Sequence, residues 1–390
     1  MNTSIVIASY NSGTALRACL LALNHQVLKA GDSFDVLVVN DGSSDDTAEV
    51  VASTSTAYPR QYFFIERTAD SCVSKARNHG ASHATGDVII FLDPDQIVTP
   101  DFVASHIRRH ELGGTIAVIG MRTRLKTGEV DVGLLGERFD LRALPPIAAL
   151  DVRFRAVSRY SENAGDYSGA WHLFFSCNVS VPTWAFRQVG GFDGAFTGWG
   201  LEDCELGYKL DALGIPLVFL LDEISFDVWH PRPFDRARYE RWLANLEYFK
   251  TKHPSERVGC QEAFGRSLNP DIVRRPWVES YSSFEDSLRQ LEQRTPPSNG
   301  MVVIKLQREW ERADVESICE DFAGKSVVVL DYCGAPSTSV HVQLAARQRN
   351  LRYFAVTKTY SASYEPLKAG LEMVEQLRSR HAELLELSDI

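Results

Sequence analysis

No stretch of this 390-residue sequence approaches the roughly 20 consecutive apolar positions that a bilayer-crossing helix needs, so no transmembrane segment is expected. The first residues enter a strand-like pattern without a charged leader, and the expected location is cytoplasmic. Basic charge is scarce as well. The 41 Lys and Arg against 51 Asp and Glu leave a net charge of -10, which speaks against non-specific nucleic-acid binding, because that relies on clustered cations. A bound nucleotide is still compatible with this balance, since a few local groups decide it. The seven cysteines are scattered and form no Cys-x-x-Cys pair, which disfavours a disulfide framework or a zinc knuckle and favours reduced, mostly buried thiols. There is no G-x-G-x-x-G fingerprint and no internal repeat. Asn178-Val179-Ser180 has the form of a glycosylation acceptor, which carries weight only with a secretory signal.

What is present is the composition of an ordinary globular protein, 44% hydrophobic and 24% charged, on a chain longer than one core usually supports. The expected organisation is a large unit over 1–255, a linker and helix over 256–300, and a small α/β or helical extension over 301–390. Short apolar strands alternate with helical spacing: strands at Ser4 to Ser9, Phe34 to Val39, Tyr62 to Ile65 and Val88 to Leu92, with helices between them and a helix over Val73 to Ala84. Such a βαβα series predicts an α/β fold with a mainly parallel sheet, helices on both faces and a crevice beyond the strands' carboxyl ends. Between Leu134 and Trp171 the periodicity fails, and long loops with short helices are expected rather than more sheet. Further on, a helix over Glu202 to Leu213, a strand from Pro216 to Leu221 and an amphipathic helix over Ala237 to Lys252 follow. Thr295 to Gly300 has linker composition, and the last 90 residues read as helix, strand (Ser326 to Leu330), helix, strand (Tyr353 to Val356) and a long charged helix.

Three polar clusters follow three of the early strands and should converge on one cleft: Ser9-Tyr10-Asn11, Asp41-Gly42-Ser43 and Asp93-Pro94-Asp95. Two acids one residue apart suit a hard divalent cation, Mg2+ or Mn2+, that also grips a diphosphate. Tyr10 can offer its ring to a base or pack on the sheet. Ser44 and Asp45 fit as helix caps, whereas capping does not explain Asp41. Arg77, near the cleft end of a helix, would meet a diphosphate there. Farther along, Gly198-Trp199-Gly200 resembles a mobile lid, and Glu202 and Asp203 open a helix, where the macrodipole favours acids in any case. The same two carboxylates could instead bind an acceptor and take its proton. His230, after a strand and flanked by Trp229 and Pro231, is open to either a structural or a metal-ligand role.

Taken together, Ile5 to Asn11, Val39 to Asp45, Ala76-Arg77-Asn78, Asp93-Pro94-Asp95 and Trp199 to Asp203 resemble family 2 glycosyltransferases with the GT-A fold. Gly191 through Glu205 also resembles the C-terminal signature of galactosyltransferases and polypeptide N-acetylgalactosaminyltransferases. The resemblance covers about residues 3 to 250. It implies an inverting, metal-dependent transfer from a UDP-sugar, with Ser9, Tyr10, Asn11, Asp41, Arg77, Asp93 and Asp95 on the nucleotide and Asp41 on the uracil. It implies Asp95 and His230 as ligands of Mn2+ or Mg2+, Asp203 as base, Glu202 as an acceptor ligand, and Trp199 and Gly200 as part of the sugar or acceptor pocket. The departures are Pro94 between the two acids and Ala8 where a proline is frequent. The acceptor is left open among a saccharide, a lipid-linked sugar, a peptide and a small natural product. Two competing classes are a noncatalytic sugar-nucleotide or glycan-binding module and a nucleotidyltransferase, the latter disfavoured by the lack of a Gly-rich basic phosphate loop. The C-terminal extension, which matches nothing recognised, is a candidate for acceptor recognition, structural packing or homodimer formation.

Overall fold

Strands β1 (Asn2–Ser9), β2 (Ser33–Asn40) and β4 (Val88–Leu92) each contain an unbroken apolar run, Ile5 to Ala8, Val36 to Val39 and Val88 to Leu92, because helices cover both of their faces. Alternate side chains go to opposite cores: Val6, Leu37, Ile89 and Phe91 to one, Ile5, Ile7, Val36, Val38, Ile90 and Leu92 to the other. The second core is closed by α1 (Gly13–Leu23), α2 (Thr47–Ser53) and α4 (Phe102–Gly113). The first is closed by α3 (Val73–His83) and, later in the chain, by α6 (Thr183–Gln188), α7 (Glu202–Ala212) and α8 (Arg236–Lys252). The computed structural model describes residues 1–113, 115–153, 169–231, 234–271 and 276–292, together with four strands at 301–306, 326–331, 351–355 and 384–387.

Among the described residues the main sheet has nine strands. Eight of them follow the order β3-β2-β1-β4-β8-β6-β9-β5, where β3 is Arg60–Phe64, β5 Gln96–Ile97, β6 Ala117–Leu125, β8 Asn178–Pro182 and β9 Leu217–Asp227, and the ninth pairs with β6 off this path. The first four pair in parallel, β8 runs antiparallel between β4 and β6, and β6 and β9 pair in parallel. The sheet is therefore parallel in its first half and mixed in its second. The expected early elements stand at their places within a residue or two. Two differences appear downstream. Residues 134–171 were expected to add no sheet, yet β7 (Ile147–Leu150) pairs antiparallel with β6, after α5 (Val132–Glu137). Its Ile147 is 55% exposed, so no buried face marks it as a strand. The element α4 and strand β6 have no counterpart in the sequence reading at all.

The core continues past the sheet. Helices α9 (Glu256–Gly259), α10 (Gln261–Leu268) and α11 (Pro276–Glu292) send Val258, Phe264, Leu268, Phe284 and Leu288 into the same cluster as Trp171, Trp242 and Phe249. The expected linker at 295–300 lies outside the described residues. Beyond it, β10 (Met301–Leu306), β11 (Ser326–Asp331), β12 (Leu351–Ala355) and β13 (Leu384–Leu387) form a second, parallel sheet in the order β12-β11-β10-β13. Met301–Leu306 opens this part as a strand where a helix was expected, and Leu384–Leu387 is a strand within the expected final helix. No helix among the described residues is long and apolar enough to cross a membrane. The five cysteines described are all free and buried, as expected of reduced thiols.

Candidate active site

Strand order reverses between β1 and β4, and the loops leaving β1, β2 and β4 therefore open onto one crevice. The loop after β1 is fixed by Asn11, which takes a left-handed backbone (φ 49) tolerated by asparagine. Its amide N–H donates to Ser43 Oγ at 2.9 Å, and its side-chain Oδ1 accepts from Ser44 N–H at 2.8 Å, so two strand tips are clasped together. Asn11 thus works on the loop itself. Asp45 accepts from Gly13 N–H at 3.0 Å and from Thr47 N–H at 3.1 Å, which ties the starts of α1 and α2 together, while the residue at the cap position of α2 is Asp46 rather than the expected Ser44 or Asp45. Ser9 is buried, and its Oγ has no partner.

Asp41, at the tip of β2, is ion-paired with Arg67, whose guanidinium also lies 3.7 Å from the centre of the exposed Tyr10 ring. Burial raises the Asp41 carboxyl above its ordinary range, and Arg67 opposes that shift. Arg67 was missed by the sequence reading. The only available signal was a lone arginine after an edge strand, and its contact with Asp41 spans 26 residues.

Asp93 and Asp95 flank a tight turn. Gln96 N–H donates to the Asp93 carbonyl at 3.2 Å, with Pro94 in the second position, where its fixed φ is favourable. The two carboxylates point to different partners. Asp93 accepts from Arg77 Nη2 at 2.9 Å, while Asp95 Oδ2 lies 3.0 Å from His230 Nε2. His230 follows β9, and Val228 N–H donates to the Asp95 carbonyl at 2.9 Å, which ties that strand end to the turn. Asp227, the last residue of β9, pairs with Arg122 at 3.6 Å.

Arg77 joins the two halves of the crevice. Buried on α3, it reaches Asp93 with one nitrogen and stands 3.6 Å from Glu202 with the other. Burial pulls its pKa down, but Asp93, Glu202 and Asp203 outweigh that and hold the cation charged. It is a neutraliser of carboxylates first. Glu202 and Asp203 open α7 behind Leu201, a non-glycine residue in left-handed backbone (φ 77). Burial and the neighbouring Asp203 push the Glu202 carboxyl up to about 7, against Arg77. Burial raises Asp203 too, while Arg77 and the Cys204 N–H, 2.8 Å from Asp203 Oδ1, hold it down.

The segment before α7 is less free than its glycines suggest. Gly200 has φ 102, and a Cβ there would lie 2.6 Å from Trp242, so the glycine serves left-handed backbone and close packing. Asn245 of α8 donates to the carbonyls of Thr197 and Gly200 at 3.0 and 2.9 Å, pinning the loop at both ends. The expected lid is a braced loop. Trp199 faces Phe234 edge-on at 5.7 Å and has the Arg238 guanidinium 4.5 Å from its ring.

Residues 4–174 match the model for glycosyl transferase family 2, and residues 157–226 match that for the N-terminal domain of galactosyltransferase. Over residues 4–174 the chain is similar to glycosyl transferase family 2. Its sequence is 33% identical over 267 residues to validoxylamine A glucosyltransferase of Streptomyces hygroscopicus subsp. limoneus, an alignment covering 65% of this chain and 57% of that one. The chain thus spans less than two thirds of that relative's length. Among solved structures, S. aureus TarS in complex with UDP-GlcNAc matches with a TM-score of 0.50 and 14% identity, over 76% of this chain and 82% of that one. The mannosyltransferase PcManGT from Pyrobaculum calidifontis, in complex with GDP-Man and Mn2+, matches with a TM-score of 0.50 and 15% identity, over 89% and 86%. The fold is GT-A, as the sequence motifs implied.

Proposed function

We propose that this chain is an inverting glycosyltransferase of family 2 type that moves a sugar from a UDP-sugar to an acceptor nucleophile, with Asp203 as the base. The observation that carries the reading is the bridging position of Arg77. By pairing with Asp93 and Glu202 it sets the end of β4 and the start of α7 on one crevice, so a donor diphosphate and an acceptor hydroxyl would meet there.

Asp95 and His230 fit a divalent cation: a carboxylate oxygen and an imidazole nitrogen stand together, and such an ion completes its shell with diphosphate oxygens and water. No cluster of three or more His, Cys, Asp or Glu suited to a metal occurs among the described residues. When bound, Mn2+ or Mg2+ would offset charge gathering on the leaving diphosphate. The chain's own groups do the rest. Tyr10, Arg67 and Asp41 would frame the base, with Asp41 accepting from the uracil imide. Asp203 would take the acceptor proton as its oxygen attacks the anomeric carbon from the face opposite the diphosphate, inverting that centre. Glu202 would hydrogen-bond the acceptor, and Trp199 with Gly200 would wall the sugar.

A screen of UDP-sugars for turnover, with and without Mn2+, tests the reading. Asp203→Asn should lower turnover by about 10²- to 10⁴-fold while leaving UDP affinity near that of the wild type. Undiminished turnover in Asp203→Asn would remove Asp203 as the base, and absence of turnover or UDP binding in the wild type would favour a noncatalytic module.

A further inference from the structure

Behind Asp95 runs a chain of hydrogen bonds that the proposed reaction does not use. Gln96, fully buried on β5, donates from Nε2 to Asp95 Oδ1 at 3.0 Å. A carboxylate can only accept, so this contact fixes the orientation of the Gln96 amide. Its Oε1 then accepts from Ser225 Oγ of β9 at 2.7 Å. Ser225 Oγ stands 3.4 Å from Asn178 Nδ2 of β8, which also donates to the Met121 carbonyl at 3.2 Å. The other end of that amide, Oδ1, faces His106 Nε2 at 3.0 Å. On the far side of the ring, His106 Nδ1 meets Ser180 Oγ at 2.8 Å, and Ser180 Oγ meets His110 Nε2 at 2.8 Å.

The order of protons follows. Burial lowers the pKa of both imidazoles to about 3, so each ring is neutral and carries one N–H. His106 must donate from Nε2 to the Asn178 oxygen, and its Nδ1 therefore accepts from Ser180. Ser180 in turn accepts from His110, whose Nδ1 has no partner, as befits a nitrogen without a hydrogen. Every donor then points one way: His110, Ser180, His106, Asn178, Ser225, Gln96 and finally the Asp95 carboxylate. Aligned hydrogen bonds polarise one another, and a satisfied buried network rigidifies what it touches. The fold makes room for the chain: a Cβ on Gly120 would stand 2.2 Å from the Asn178 side chain. Asn178 and Ser180 are wholly buried, which removes the glycosylation motif from consideration.

We infer that Gln96 is a positioning residue for the cation site: it holds Asp95 by Oδ1 so that Oδ2 is presented toward His230, and the chain from Ser225 to His110 holds Gln96. This rests on the reading of Asp95 as a metal ligand. Calorimetric titration of UDP into the full-length protein, in Mn2+ and again in EDTA, separates the two ideas. The wild type should bind UDP more tightly in Mn2+, and Asp95→Ala should lose that gain. Gln96→Leu should weaken binding in Mn2+ by about 10- to 100-fold, the range typical of outer partners of metal ligands, with affinity in EDTA unchanged. Ser225→Ala should weaken it less, and Ser225→Thr, which keeps the hydroxyl, should restore it. This pair carries the test if Gln96→Leu does not fold. A full Mn2+ gain in Gln96→Leu or Ser225→Ala would overturn the positioning role and leave Asp95 as ligand. An equal loss in EDTA would mark a packing role and overturn it also. No Mn2+ gain in the wild type would remove the metal reading and the proposal together.

Discussion

Glu202 and Asp203 are adjacent carboxylates out of water, so their protons leave in two linked steps that belong to the pair. With Glu202 raised to about 7 and Asp203 raised as well, the pair still holds a proton at mildly acidic pH. The rate should therefore climb with pH and level off above about 7, and Glu202→Gln should move that limb to lower pH, because Asp203 then loses its like-charged neighbour. A pH profile of kcat/KM reads this directly. Stability should run the other way. A carboxyl whose folded pKa lies above its unfolded value of 4.5 contributes stability that is complete below that value and is lost as pH rises through the folded pKa. At about 1.4 kcal/mol per unit, wild type should lose on the order of 2–3 kcal/mol between pH 4.5 and 7 relative to Glu202→Gln. Urea melts of both proteins across that range check the sign. Arg77 moderates the effect without cancelling it, since the net shift is upward despite its charge.

Helix α7 presents that pair, and Glu205, in the same first turn, ties the helix to its neighbour. Glu205 is fully buried and pairs with Lys209 at 2.9 Å, and with Lys252 and His253 at the end of α8, each at 2.8 Å. Glu205→Ala would remove the anion shared by Lys209 and Lys252, which keep the Gly191 carbonyl and Asp193 respectively, and should cost about 1.5–3 kcal/mol in urea unfolding. If it costs under about 1 kcal/mol, the network does not brace the site. At this scale the chain was unevenly legible. Strand β4 was read residue for residue because five consecutive apolar side chains are all buried. Strand β6 was not, because its second half, Arg122-Thr123-Arg124, carries charges that pair with Asp227 across the sheet, a partner over 100 residues away. The turn at Asp93-Pro94-Asp95 and the acids of α7 announced themselves locally. That Asp95 meets His230 was available only through family resemblance, and the meeting of Arg77 with Glu202 and the roles of Arg67 and Gln96 depend on contacts no local pattern encodes.

The two sheets share one strand order: β3-β2-β1-β4 and β12-β11-β10-β13 are both parallel, with the first strand of each set between its second and its fourth. No sequence repeat accompanies this likeness. The crevice of the first sheet draws every proposed site residue from positions up to His230, yet the core beneath it reaches farther. Phe284 packs on His172 at 4.1 Å and on Trp171 at 5.8 Å, and both Phe284 and Leu288 are buried. Loss of one such aromatic typically costs about 3–5 kcal/mol, and loss of α9 to α11 together would remove several large core side chains. A chain ending at residue 255 should therefore unfold without cooperativity or aggregate. A chain ending at 292 should melt in one transition and bind UDP in Mn2+ within about threefold of the full-length affinity, since less than 1 kcal/mol would separate them. Calorimetry on the two truncations decides it: weak binding by the 292-residue chain would mean that the second sheet helps shape the crevice, because the core around Trp171 would be intact in both cases.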